Sequence, residues 1–395
     1  MLVEDRDTTA KSQSIKKLRN HHSTIVKKDE SVTSRRPRSR TRNQSSHRGL
    51  REQSPYKLPN PEPLNRHMIK QLLTALKRIV VTLVIVLLAI WGYLSQPTLA
   101  KGNPSNTVID QQRLQDIVKK LSIDFHPRNY RSTKNLEATV AYIQQHFESA
   151  GGMVTLQSFE VSGHTYKNVR CHFGNTDAPK LIIGAHYDAH DQTPGADDNA
   201  SGVAGLIELA YLLGENAPDG NFELVAYPLE EPPFFGSNYM GSHFHAKSIH
   251  DEGQPVAGVI VLEMIGYFTD EFGSQDYPTP LFKIIYPNTG NFIAVVGKMD
   301  QRAFTKKVKV GMKGVNDLPI ESINAPAGIP GIDFSDHRNY WEFGYDAVMI
   351  TDTAFYRNTA YHEANDTWDR LNYEKMGQVV QGVYSAIVQL AGQQQ

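Results

Sequence analysis

The chain has 395 residues, of which 40% are hydrophobic and 21% charged. That suits about two or three ordinary domains, or one large α/β domain with appendages. Its 41 basic and 42 acidic side chains nearly cancel, so net charge gives no reason to expect a nucleic-acid partner. Cys171 is the only cysteine, which excludes an internal disulfide and a cysteine-built zinc cluster. A metal site would have to be made from His, Asp and Glu.

The overall balance hides a split, because residues 1–78 hold 19 Lys/Arg against 7 Asp/Glu and the remainder holds 22 against 35. Residues 1–67 interleave charge, such as Arg35, Arg36, Arg38, Arg40 and Arg42, with Ser, Thr, Gln and Asn. Large apolar residues are sparse and follow no period, so a solvated, disordered basic tail is expected. Contact with anionic lipid or nucleic acid is the other reading of its charge. Lys77-Arg78 then precedes the apolar run Ile79–Leu94. As a helix that run spans ~24 Å against a hydrocarbon core of ~30 Å, a gap that Trp91, Tyr93 and snorkelling Lys77 and Arg78 can close. Read from Met68, the same stretch also has the form of a signal peptide ending near Thr98-Leu99-Ala100. Residues 68–96 are therefore read as a signal-anchor, favoured by the long segment ahead of Met68, or as a signal peptide. On both readings the positive flank stays inside and the following chain is exported.

From residue 105 to 395 helix-like and strand-like segments alternate. Thr133–Ala150 sets Leu136, Val140, Ile143 and Phe147 on one helical face and stops at Gly151-Gly152. Leu181–Tyr187, Phe222–Tyr227, Gly258–Met264, Phe292–Gly297 and Ala347–Thr351 are short apolar runs suited to strands buried on both faces. Helices are expected at Ser201–Leu213, Ser237–His250, Gln301–Gly311, Asp336–Phe343 and Glu374–Ala391. The fold class is α/β: a mixed, mostly parallel central sheet with helices on both faces. In such sheets ligands gather beyond the carboxyl ends of the strands.

Those ends carry His and carboxylates. His186 and Asp188 close one strand, Asp197 and Asp198 lie in the following GADDNASG loop, and Glu230-Glu231 end the next strand. Glu263 ends a further strand and His362 follows the last one. Singly, each has an ordinary explanation: a hydrogen-bonded polar residue, a helix cap at Asp198 or Asn199, or surface charge. Together, carboxylates crowded at one sheet edge repel each other unless a cation neutralises them, and His with carboxylate is a ligand set for zinc. Ser335-Asp336-His337 is read as a helix N-cap, since consecutive residues cannot form a catalytic triad. His190, His243, His245 and His250 are read as ordinary surface or helix histidines.

The motifs HYD, PGADDNASGVAG, EE, LEMIGY, SDH and YHEANDT resemble, in order and spacing over about residues 105–395, the co-catalytic two-zinc aminopeptidases and their relatives, glutamate carboxypeptidase II and the glutaminyl cyclases. The resemblance implies a zinc exopeptidase acting on peptides. His186 and Glu263 would hold one zinc, Glu231 and His362 the other, and Asp198 would bridge, with Asp197 the alternative bridge. Glu263 departs from the Asp more usual in the family. Glu230, turned away from Glu231 by strand alternation, would be the general base, Asp188 the partner of His186, and Tyr361 an oxyanion donor. Glutaminyl cyclisation, carboxypeptidase action (with Arg338 or Arg357 receiving a carboxylate) and a non-catalytic binding protein are the competing readings.

Overall fold

The computed structural model describes residues 65–98, 105–175 and 177–392; the basic tail lies outside them, apart from its last residues. The chain divides into two units, Met1–Leu87 and Leu88–Gln395. The first described element is helix α1 (Arg66–Ser95), 30 residues long, or ~45 Å at the usual rise. Its most apolar stretch has a mean hydropathy of 2.4 and is not buried, so it is long and apolar enough to cross a membrane. The apolar run read from the sequence was shorter because it stopped at Lys77-Arg78, whereas the helix continues upstream through Leu72, Leu73 and Leu76.

The second unit is an α/β body. After α2 (Gln111–Lys119) and α3 (Thr133–Ser149) come strands β1 (Met153–Val161) and β2 (His164–Gly174), joined by a two-residue turn at Ser162-Gly163. Both turn residues have positive φ, which matches the twist of a hairpin and suits Gly163. Then follow β3 (Lys180–His186), α4 (Gly202–Asn216), β4 (Asn221–Tyr227), α5 (Gly241–Asp251) and β5 (Val256–Glu263). The rest is α6 (Pro280–Ile285), β6 (Ile293–Lys298), α7 (Arg302–Met312), β7 (Ile320–Ala325), α8 (His337–Glu342), β8 (Ala347–Thr351) and α9 (Tyr373–Ala391).

The eight strands form one mixed sheet in the order β1-β2-β4-β3-β5-β8-β6-β7. Its centre, β4-β3-β5-β8, is parallel, as is β6 with β7; the hairpin, β2 with β4, and β6 with β8 are antiparallel. Alternate residues of β3 enter different cores. Leu181 and Ile183 pack with α4, α7 and α9, while Ile182 packs with Ala246 and Ile249 of α5 and Tyr340 of α8. Helices therefore cover both faces, and the central strands are fully buried. Because β4 and β5 lie on opposite sides of β3, the strand order reverses there, which opens a crevice at its carboxyl end.

Ser95, Gln96 and Thr98, just beyond the apolar segment, belong to this second unit and are buried in it. The carbonyl of Ser95 accepts from Lys309 Nζ at 2.8 Å and Ser322 Oγ at 2.7 Å. Gln96 donates to Arg302 O and Asn324 Oδ1, and Lys313 donates to Thr98 O.

Candidate metal centre

His186 is the last residue of β3 and is fully buried. Its Nε2 lies 3.3 Å from Glu263 Oε2, at the end of β5, and 3.4 Å from Asp198 Oδ1. The other oxygen of Asp198, Oδ2, lies 3.2 Å from Nε2 of His362, which is also 3.2 Å from Glu231 Oε2. Two His–carboxylate triads thus share Asp198, one oxygen to each. Asp197 is turned away: its oxygens accept from Gly266 N at 3.0 Å and Asn358 Nδ2 at 2.8 Å. Glu230 stands back, with Oε2 at 3.9 Å from His186 Nε2.

The paired glutamates are not on the strand. β4 ends at Tyr227, and Leu229 has a left-handed φ of 67°, so a loop, not strand alternation, separates Glu230 from Glu231. Met264, after Glu263, and His362 itself also have positive φ. Such backbone is costly for non-glycine residues and persists where surrounding contacts over-determine it. Here those contacts are visible. The Asp188 carboxylate accepts from Glu230 N at 3.2 Å and Glu231 N at 3.1 Å. His186 Nδ1 is 3.2 Å from the Asp188 carbonyl and 3.4 Å from its Oδ1, so both the main chain and the side chain of Asp188 back the imidazole. Asp366 accepts from Asp197 N at 3.0 Å and Asp198 N at 3.1 Å. Asn199 caps α4 through Gly202 N and ties it to β5 through Met264 N and Leu262 O.

Sequence reasoning missed most of the supports, Asp366 among them. Ser335 does not cap α8; its buried Oγ donates to Glu263 Oε2 at 2.6 Å. Arg128 is almost completely buried and donates to the carbonyls of Leu121, Tyr187, Pro194 and Gly195, pinning both ends of the connection that runs from His186 at the end of β3 to Asp198. His190 lies flat against His362, ring centroids 3.9 Å apart and planes 8° apart, and Tyr361 covers the opposite side at 3.8 Å and 17°. His245 sits on α5 but is buried, its Nδ1 2.6 Å from Tyr340 Oη. Arg357, a candidate receptor for a substrate carboxylate, is buried and engaged by Gln275 and Tyr267 O. Arg338 stacks over Phe235 beside Asp333.

The electrostatics are those of buried carboxylates crowded around two imidazoles. Burial, opposed by His362, pushes Glu231 up to about 7, and burial raises Glu263 and, most strongly, Glu230. Burial alone would lower both imidazoles, yet the carboxylates around them raise His186 well above its ordinary value and His362 to about 10. Asp198 is held below the usual carboxylate range by the two histidines, against its burial. A divalent cation fits this set on two further grounds. His186 Nε2, Asp198 Oδ1 and Glu231 Oε1 are buried without a hydrogen-bond partner among the described residues. Moreover, N and O ligands ~2.0–2.1 Å from a tetrahedral zinc lie ~3.4 Å from one another, and the separations here are 3.2–3.4 Å.

The chain is 49% identical over 284 residues to the uncharacterized Escherichia coli K12 protein YfbL, covering 70% of this chain and 87% of that one. It is 22% identical over 282 residues to leucine aminopeptidase 1 of Uncinocarpus reesii, covering 66% of this chain and 65% of that protein's length. The fold is shared with the Legionella pneumophila LapA aminopeptidase (TM-score 0.58, 20% identity, 72% of each chain). It is shared also with a glutaminyl cyclase of Bacteroides thetaiotaomicron (TM-score 0.55, 20% identity, 71% of this chain and 98% of that one). The model of peptidase family M28 matches residues 168–387, a span that contains all the residues of both triads. On that match, and on the similarity to YfbL, the chain belongs to peptidase family M28.

Proposed function

We propose that this peptidase is a two-zinc aminopeptidase that hydrolyses the first peptide bond of its substrate. One observation carries the reading: the two oxygens of Asp198 address two imidazoles, each with its own glutamate, while Glu230 belongs to neither triad. His186 and Glu263 would hold one ion, His362 and Glu231 the other, and Asp198 both. When bound, the ions would polarise the scissile carbonyl and lower the pKa of the attacking water. Glu230 takes the proton of that water and returns it to the departing amine. Its carboxyl is raised by burial and, against His186, by Glu263 and Glu231, which suits a base that must next act as an acid. Asp188 fixes the tautomer of His186 and the loop that aims Glu230. Burial, with Asp198 and Glu231 nearby, keeps the Tyr361 phenol neutral, so it can donate to the developing oxyanion.

Arg357 being engaged elsewhere speaks against a carboxypeptidase. The fold shared with a glutaminyl cyclase supports cyclisation of N-terminal glutamine as a second reading, and the complete set of two triads favours hydrolysis over it. The test is a panel of free and N-blocked aminoacyl substrates and glutaminyl peptides, with and without chelator. Release of the first residue only from unblocked substrates, abolished by chelator, supports the aminopeptidase; pyroglutamate formation or cleavage from the carboxyl end overturns it.

Residues 79–94 would anchor the protein in a membrane with the catalytic body on the exported side. The burial of Ser95, Gln96 and Thr98 supports retention of the helix, since cleavage near residue 100 would sever from the chain a segment whose hydrogen bonds are built into the body. N-terminal sequencing of the mature protein should find residues upstream of Met68; a new terminus near residue 101 would contradict an uncleaved anchor.

A further inference from the structure

The two triads are supported differently. His186 is fully buried, and its Nδ1 meets the main-chain oxygen of Asp188 at 3.2 Å, the kind of outer partner that orients a metal-binding imidazole. His362 has a side chain 21% exposed and sits at a left-handed φ of 58° on the loop after β8. Its Nε2 lies 3.2 Å from Asp198 Oδ2 and from Glu231 Oε2, while the plane of a histidine ring turns about a broad torsion. That plane is enclosed by two flat rings, His190 at 3.9 Å and 8° and Tyr361 at 3.8 Å and 17°.

Tyr361 is the chain neighbour of His362, whereas His190 reaches it from the loop after β3. Its backbone is set by a turn in which its carbonyl accepts from Thr193 N at 2.9 Å and Thr193 Oγ at 2.6 Å. The same loop begins at Asp188, which grips Glu230 and Glu231 through their main chain. The Nδ1 of His190 is buried with no hydrogen-bond partner among the described residues, and the ring face lies on His362.

We propose that His190 is a positioning residue: by stacking, it fixes the ring plane of His362 and so sets the affinity of the metal position formed by Asp198, Glu231 and His362. The proposal rests on the two-metal reading above. Ring stacking corresponds to roughly 2–10-fold in an equilibrium constant, so losing it weakens one of the two ions by up to about tenfold and leaves the other unchanged. The face is what matters, so any flat ring should serve.

The test uses the full-length chain in detergent, with zinc-binding isotherms against a chromophoric chelator and the absorption spectrum of the cobalt-substituted protein. His190→Ala should weaken one ion by roughly 2–10-fold and alter the cobalt bands of that position, while His190→Phe restores both readouts. His190→Leu fills the space without a ring and should behave as His190→Ala, which decides the matter if the alanine variant melts early. Equal affinities in wild type, His190→Ala and His190→Leu overturn the proposal, as does a His190→Phe variant as weak as His190→Ala. If the wild type itself binds fewer than two ions, the failure lies with the two-metal reading and not with His190.

Discussion

Removing the Ser335 hydroxyl should weaken one ion selectively. Ser335 Oγ donates to Glu263 Oε2 at 2.6 Å, and that same oxygen faces His186 Nε2 at 3.3 Å. The hydrogen bond therefore steers the atom that would meet the ion, and Ser335→Ala deletes it without adding bulk. A hydrogen bond to a charged acceptor contributes about 1.5–3 kcal/mol. At ~1.4 kcal/mol per decade of affinity this corresponds to ~10–150-fold, in line with the ~10–100-fold cost of removing outer partners of metal ligands. The assay is chelator competition on the full-length protein in a His362→Ala background, which leaves only the His186 position to be measured. A zinc affinity unchanged by Ser335→Ala in that background would refute the reasoning.

Glu230→Gln should retain both ions and lose ~10²–10⁴-fold in turnover; near-normal rates with full metal content would show that the base is another group. Arg128→Leu removes a donor from four carbonyls, of which Leu121 O and Tyr187 O are buried, Pro194 O is part-buried and Gly195 O keeps Ala200 N. At about 1–3 kcal/mol each, that loss approaches the ~5–15 kcal/mol stability of a typical domain, so thermal melting should show a largely unfolded variant, and a native-like melt would contradict the pinning role. Metal-free protein should lose stability as pH rises. Burial holds the carboxyls of Asp336, Asp352 and Asp366 at about 7, above an unfolded value of ~4; the protonated form is the one the fold favours, so stability present at low pH is lost on the way to about 7. His362 has the same sign. Its carboxylate neighbours, overriding burial, raise it to about 10, so its contribution is full below its unfolded value and lost as pH rises toward about 10. Melting temperatures of chelated protein that climb between about pH 5 and pH 9 would overturn that assignment.

The parallel strands were legible because burial on both faces leaves a plain signature, an unbroken apolar run such as Leu181–Ile183 ending in His186. Strands β1 and β2 were not, since a hairpin at the sheet edge mixes Gln157, Ser158, Lys167 and Asn168 into its pattern and has no apolar run to find. Strand β7, Ile320–Ala325, is parallel to β6 but lies at the opposite edge, and its IESINA likewise breaks the apolar run with polar residues. At the site, His186, Asp198, Glu231, Glu263 and His362 stood out because carboxylates and imidazoles crowd one end of the sheet and sit in motifs whose order and spacing resemble those of a known family. Their supports did not. The bond from Ser335 to Glu263 spans 72 positions, that from Asp366 to Asp198 spans 168, and the stacking of His190 on His362 leaves no spacing to detect. The loop geometry of Glu230 and Glu231 depends on the left-handed turn at Leu229, a conformation that leucine does not announce.

Crystallography of the zinc-loaded protein with anomalous data at the zinc edge bears most directly on whether these side chains cage a pair of ions. Two peaks are expected. One should lie within ~2.0–2.2 Å of His186, Asp198 and Glu263, and the other equally close to Asp198, Glu231 and His362. A single peak, or peaks away from Asp198, would contradict it.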